Sequence, residues 1–398
     1  MEKSTKNSLS LKTKNWISAQ HLHTAAFLLV FVGALVWMIF FLITNTLTNL
    51  ASRGMQTGFD FLFHTAGFGI DFTLIPYDPG TNSYLRVFLV GIVNTLFLSF
   101  LAIVASTILA FIVGISRLSS NWLVAVLASV YVELIRNTPI LVQIVFWHAL
   151  IFHALPMVKQ SVDVFDLGLI FLNNRGLYVP TPVTSYFFSL SLTGFAVAVT
   201  AILALRFWAR RRQAQSGKSF PIVWASIAIF PLFVFLVPLL AGANLEWSLP
   251  VLGQYNYEGG ARLPPAFFIV LVGLTIYHSA HKAETIRAGI QSVPQGQLDA
   301  ARALGLRRRQ MMTLVLIPQA LRAIIPSLIN GWLTVTRNAS LGIAIGYPEL
   351  VGLFMQTSLN QFGHAIEIVA MVMGFYGVLS LAISGLLNLY NKHVAIID

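Results

Sequence analysis

The 398-residue chain is 57% hydrophobic and only 10% charged, with a mean hydropathy of +0.77, a composition that no soluble domain of this length tolerates on its surface. Its net charge of +11 does not point to nucleic acid, because the basic residues fall in short clusters beside apolar runs, without the interleaved aromatics of a binding groove. Cysteine is absent, which excludes disulfides, thiolate zinc sites and cysteine nucleophiles.

Residues 1–24 are polar and carry Lys3, Lys6, Lys12 and Lys14 ahead of about 19 apolar residues that begin at Ala25. A signal peptide also has a basic head, but this run is too long for an h-region and Ile43-Thr44-Asn45 offers no small-residue cleavage site. A retained first span is expected, with a cytoplasmic N-terminal segment before it. Residues 25–84 comprise that span and a loop over 46–82 that is rich in Gly, Asp and aromatics and broken by Pro76 and Pro79. Phe59, Phe61, Phe63, Phe68 and Phe72 are expected at the membrane interface rather than in a ligand box. The second span lies within Tyr84 to Ile115, and the third runs from near Asn121 to about Phe152. Glu133, Arg136 and the helix breaker Pro139 fall inside the third, where polar groups usually face a partner or a water-filled path. Two readings stand: Glu133 and Arg136, one turn apart, neutralise each other, or they line a pathway.

Residues 153–184 are mixed and break at Pro180 and Pro182; spans four and five follow at about 185–205 and 222–240, separated by Arg206, Arg210, Arg211, Arg212 and Lys218, a basic loop expected on the inner side. A polar loop over 241–263 precedes span six at about 264–289. Span seven runs to about Val335, a loop to about His364, and span eight to about Tyr390. With about eight spans and both termini inside, the inner segments hold roughly fifteen basic residues and the outer ones about six. Arg117 and Lys392 are among the inner set. The fold class is therefore all-α, a polytopic membrane helical bundle.

Between spans six and seven the chain turns polar, over SVPQGQLDAARALGLRRRQMMTLVLIP from Ser292 to Pro318. Ser292 and Gln295 have capping-box spacing, and Pro294 suits a first helical turn. Leu298, Ala301 and Leu304 recur every three residues as an apolar stripe beside Gln295, Asp299 and Arg302, and Gly305 supplies a left-handed stop. The spacing predicts a helix of about 12 residues, roughly 18 Å, too short to cross a bilayer. Arg307, Arg308 and Arg309 behind it bind anionic lipid heads, steer an acidic partner or mark the inner face. Pro318 and Pro326 are expected to kink span seven.

Asp299, Ala300, Ala301, Gly305, Val315, Ile317 and Pro318 resemble the E-A-A-x3-G-x9-I-x-L-P pattern of the membrane subunits of ABC importers, with Asp where Glu is usual. The resemblance implies a coupling helix, within the loop over 292–309, that sits in a cleft on an ATP-hydrolysing subunit through Asp299, Ala300, Ala301, Arg302 and Gly305. Three further segments are similar to those of permeases for polar amino acids. Glu133-Leu-Ile-Arg136-Asn-Thr138-Pro139-Ile-Leu-Val-Gln143 resembles E-L-x-R-G-T-P-L-L-V-Q, with Asn137 in place of Gly; Glu284 to Ile290 resembles E-I-x-R-G-G-I; and Arg337 to Leu341 matches another. The likeness covers roughly Val87 to Asn391 and implies a transmembrane domain over 85–391 interrupted by inserted spans over about 185–240; with the extra first span it is similar to the long Q-type subunit of general L-amino acid importers.

Such a family implies a type I ABC importer transmembrane fold in the bacterial inner membrane, a second homologous permease forming a heterodimer, two ATP-binding subunits and a periplasmic amino-acid-binding protein. ATP and Mg would belong to the partner ATPase, since this chain has no Walker lysine loop and is expected to hold no cofactor. Glu133, Arg136, Gln143, Asn338 and Ser340 are the expected substrate pathway.

Two other classes compete. An ion-coupled carrier needs inverted repeats or buried acidic coupling residues, neither of which is evident. An intramembrane metalloenzyme would use His278, His281 and Glu284, spaced i, i+3, i+6, but Glu284 stands one turn before Arg287 and near Lys282, where salt bridging and snorkelling are expected.

Overall fold

The computed structural model describes residues 24, 26–46, 48, 49, 52, 58–183, 185–217, 220–242, 246–362 and 364–394. Lys3, Lys6, Lys12 and Lys14 of the basic head lie outside them, as does Lys218. Twelve helices are described: α1 (Ala26–Thr46), α2 (Tyr84–Ser116), α3 (Trp122–Arg136), α4 (Ile140–Ala154), α5 (Ser185–Ser216), α6 (Ile222–Leu240), α7 (Pro265–Gln291), α8 (Gln295–Ala303), α9 (Arg308–Met311), α10 (Ile317–Asn338), α11 (Leu359–Phe362) and α12 (Ala365–Val394). Both 4-residue helices adjoin π-helical turns: Met312–Leu316 joins α9 to α10, and Gly352–Ser358 precedes α11. The first of these turns leads directly into Pro318, whose missing N–H and ring disfavour the ordinary i to i−4 register.

Among the described residues, six helical segments are long and apolar enough to cross a membrane. The expected third span is instead two helices, α3 and α4, bent by 106° at Asn137–Pro139, and they make a seventh span only if counted together. At 19 residues α6 is about 28 Å long, just under a hydrocarbon core. The eight expected spans thus resolve into six long helices, one bent pair and one short helix.

The fourth span also differs. The basic cluster of Arg206 to Arg212 is not a loop but the last turns of α5, which stops only at Gly217, whose φ is 67°. Arginine is a good helix former, and no breaker intervenes. The expected loop before His364 is likewise largely helical.

The chain divides into two compact units. One comprises residues 1–69, 77–91 and 350–382. Its α1 is exposed along its whole length, which suits a helix bathed in lipid. Phe61, expected at an interface, is buried, stacked on His364 with ring centroids 4.7 Å apart and edge-on to Tyr84. Glu367, in the first turn of α12, accepts from the Gly58 N–H at 2.6 Å, and Tyr84 donates to Gln361 at 2.8 Å.

The other unit comprises residues 70–76, 92–349 and 383–398. Here α7 is the centre, packed by α3, α4 and α10. Glycines permit the closest approaches: a methyl group at Gly114 would meet the Ala283 carbonyl at 2.9 Å, and one at Gly289 would collide with Ile324. Phe72, again expected at an interface, packs on Phe267 and Tyr347 in the core, whereas Phe59 and Phe63 of the other unit are exposed. Helices α5 and α6 form a hairpin packed chiefly on itself, with Gly194 against the Phe233 carbonyl.

The loops flanking that hairpin are not irregular. Strands β1 (Val162–Asp163), β2 (Phe171–Asn173), β3 (Gly176–Val179), β4 (Thr181–Pro182), β5 (Trp247–Ser248), β6 (Val251–Leu252), β7 (Tyr257–Glu258) and β8 (Ala261–Leu263) lie on either side of it. They pair antiparallel as β1-β2-β3-β8, β4-β5 and β6-β7, so the chain entering the hairpin is stitched to the chain leaving it. Tyr178, 2% exposed, donates to Asn256 at 2.6 Å beneath this layer.

Candidate functional site

The polar stretch folds into a nine-residue helix, α8, rather than twelve, and the capping box does not form. Helix α7 runs on to Gln291 and uses Ser292 as its C-cap, with the Ser292 hydroxyl donating to the Gly289 carbonyl at 2.8 Å. Pro294 becomes the N-cap of α8, a residue with no side-chain acceptor.

The other end of α8 is built as the sequence suggests. Gly305, at φ 73°, follows Leu304; its N–H donates to the Arg302 carbonyl at 2.9 Å, and the Leu306 N–H to the Ala301 carbonyl at 3.2 Å. This 6-to-1 and 5-to-2 pair is a Schellman turn, which requires a left-handed residue at Gly305. Asp299 and Arg302 pair at 2.8 Å on the exposed face.

The apolar stripe splits. Ala301 is 3% exposed, buried within the chain itself, so it does not offer the outward contact expected of it. Leu304 is 80% exposed. Ala300 is exposed beside it.

The expected pathway residues have different surroundings. Gln143, at the first turn of α4, is buried and donates to the carbonyls of Ile135 at 2.8 Å and Thr138 at 3.0 Å, two acceptors released by the bend before Pro139. Glu133 does not pair with Arg136; it faces Arg117 at 3.9 Å and lines an open groove of about 610 Å³ on α3 together with Ser129, Asn137 and Thr138. Arg136 is exposed. Ser340 donates to the Arg337 carbonyl at 2.7 Å, and Asn338 meets His278 Nε2 at 3.2 Å.

Arg117 is the hub of an ion network that spacing alone does not reveal. Its guanidinium contacts Glu284 on α7, Glu133 on α3 and the Ser129 hydroxyl. Glu284 is also gripped by Arg287, whose guanidinium reaches Gln291 as well. Two carboxylates and two guanidiniums balance, so three helices are joined without a net buried charge.

The expected snorkelling of Lys282 does not occur. It is 3% exposed, and its Nζ donates to Ser106 at 2.8 Å and Thr107 at 3.2 Å on α2. Trp332 Nε1 meets Thr107 at 3.3 Å from α10. One turn away on α7, His278 is equally buried against Asn338. Hydropathy gives no warning of this polar seam, because a lysine near a helix end reads as interfacial until the facing side chains are known. Among the described residues no group of three or more His, Asp and Glu is arranged to hold a metal ion, and Glu284 is engaged by the two arginines.

Residues 201–396 match the family described as binding-protein-dependent transport system inner membrane component. Over 94% of both chains the sequence is 44% identical to the putative amino-acid ABC transporter permease protein YhdX of Escherichia coli (strain K12). It is 40% identical to the general L-amino acid transport system permease protein AapQ of Rhizobium johnstonii, over 92% of this chain and 90% of that one. A third relative, the glutamate/glutamine/aspartate/asparagine transport system permease protein BztB of Rhodobacter capsulatus, is 35% identical over 92% and 91%. The chain therefore belongs to the family of binding-protein-dependent transport system inner membrane components, among the amino-acid ABC transporter permeases.

Proposed function

We propose that this chain carries L-amino acids inward across the bacterial inner membrane by alternating access, as one of two non-identical permeases. Two ATP-binding subunits hydrolyse Mg-ATP, and a periplasmic binding protein delivers the solute. No ATP site is assigned to this chain, and both termini are cytoplasmic. The relatives' names supply the substrate class, and their nearly full-length identity is the observation that carries it.

Coupling to hydrolysis is assigned to α8 and its turn. Asp299 and Arg302 present a paired polar face, Gly305 sets the turn, and Ala300 and Leu304 stand exposed, while Ala301 anchors the helix to its own chain. An exposed leucine beside a paired polar face suits an interface. Among the pathway residues, Asn338 is assigned to the solute and Gln143 to the bend beside it; Glu133 and Arg136, with Ser340, flank the route. Residues 85–391 form the transport domain, with the hairpin over about 185–240 inserted. Co-expression of the untagged partner genes and identification of co-purifying chains by mass tests the assembly. A second permease and an ATP-binding subunit are expected; a chain that purifies alone or as a homodimer contradicts it.

A further inference from the structure

Lys282 carries a charge that its surroundings do not match. Its two hydrogen-bond partners are neutral hydroxyls, which supply no compensating charge: Ser106, which also donates to its own Ala102 carbonyl at 2.5 Å, and Thr107, which also accepts from Trp332. Among the described residues no carboxylate forms an ion pair with it. Glu284 is only two residues away, but two residues turn an α-helix by roughly 200°, and that carboxylate faces Arg117 and Arg287. An ammonium removed from water in this way is strongly stabilised by any anion that reaches it.

We propose that Lys282 binds the carboxylate of the transported solute, a reading that rests on the chain being an amino-acid permease. The residues one turn along the same helix suit the rest of the molecule. His278, 3% exposed, lies one turn, about 5.4 Å, nearer the start of α7, paired with Asn338. When the Asn338 amide donates to His278, its Oδ1 is left to accept from an ammonium group. Ser106 and Thr107 hold the lysine head while the site is empty, and the carboxylate takes over as its partner. Because every L-amino acid has the same two groups, such a site accepts many side chains.

The test uses the complete transporter, co-expressed with its partners and reconstituted in proteoliposomes, with radiolabelled L-glutamine, L-alanine and L-leucine as probes. Lys282→Arg keeps the cation and is expected to retain uptake within about threefold, whereas Lys282→Met fills the space without charge and is expected to raise KM about tenfold or more for all three. Membrane abundance is measured for both, so that a loss of assembly is told apart from a loss of binding. Uptake retained by Met and lost by Arg means a packing role and overturns the proposal. If either variant fails to assemble, Thr107→Val is the second probe: with one hydroxyl gone the cation depends more on the anion, so KM falls, and an unchanged or raised KM overturns the proposal. Wild-type vesicles that take up none of the three, yet contain the ATP-binding subunits, remove the amino-acid reading instead. Lys282 is then read directly by thermal unfolding of the purified complex in acetate against chloride at equal ionic strength. Stabilisation by acetate that Lys282→Met abolishes supports the carboxylate site, and equal unfolding in both salts overturns it.

Discussion

The side-chain amide of Gln143 donates to the Ile135 carbonyl at 2.8 Å, tying the first turn of α4 back to the last turn of α3 across a 106° bend. The bend interrupts the helical hydrogen-bond ladder, and Gln143 supplies a side-chain donor to the Ile135 and Thr138 carbonyls. Replacing it with leucine leaves Ile135 and Thr138 without that partner, at a cost of about 1–3 kcal/mol. Thermal unfolding of the purified chain in detergent should show Gln143→Leu melting several degrees below wild type. An unchanged Tm would return Gln143 to a role in the pathway alone.

A second prediction concerns Arg117 and Glu284. Their side chains are 12% and 25% exposed, so the pair belongs between a surface ion pair, worth about 1 kcal/mol, and a buried one, whose disruption costs about 3–5 kcal/mol. Glu284→Gln should destabilise the bundle within that range by leaving Arg117 short of charge. Arg117→Met combined with Glu284→Met should lose less than the sum of the two single changes. Additive losses in a double-mutant cycle would mean that the contact contributes nothing.

Gly305 and Leu304 separate turn geometry from contact. Around Gly305 there is open space for a Cβ, so alanine there is opposed only by the left-handed φ of 73°, about 1–2 kcal/mol, and a β-branched residue by more. Gly305→Val is expected to fray α8 and weaken ATPase association, with the spans still inserted. Leu304→Asp leaves the turn intact and puts a charge where the exposed leucine stood. Membrane abundance should be normal and solute-stimulated hydrolysis reduced at least about fivefold, a loss of about 1 kcal/mol in coupling. Wild-type stimulation in Leu304→Asp would make α8 a mere connector.

Much of this was legible before any coordinates. Long apolar runs place α1, α2, α7 and α12 to within a few residues, since a bilayer demands about 20 apolar residues in a row. Gly305 was readable because few residues tolerate a left-handed stop. Other features depend on what faces what. Ser292 and Gln295 have the right spacing for a capping box, but the preceding helix claims the serine first. Phe61 and Phe72 look like interfacial aromatics until their ring partners His364 and Tyr347, far along the chain, are known. Strands of two to four residues are too short for alternation to register, which hid the β layer around the hairpin. Lys282 is the clearest case: its position in α7 was plain, but the burial that gives it chemical meaning comes from Ser106, Thr107 and Trp332 on other helices.

The central claim is that this chain moves L-amino acids at the expense of ATP hydrolysed by its partners. The most direct measurement is uptake of radiolabelled L-glutamine, L-alanine and L-leucine into proteoliposomes containing the whole complex, with the binding protein outside and Mg-ATP sealed inside. Accumulation of at least one of them is expected with ATP and absent with a non-hydrolysable analogue. Equal uptake with either nucleotide, or uptake that follows an imposed proton or sodium gradient, would contradict the account.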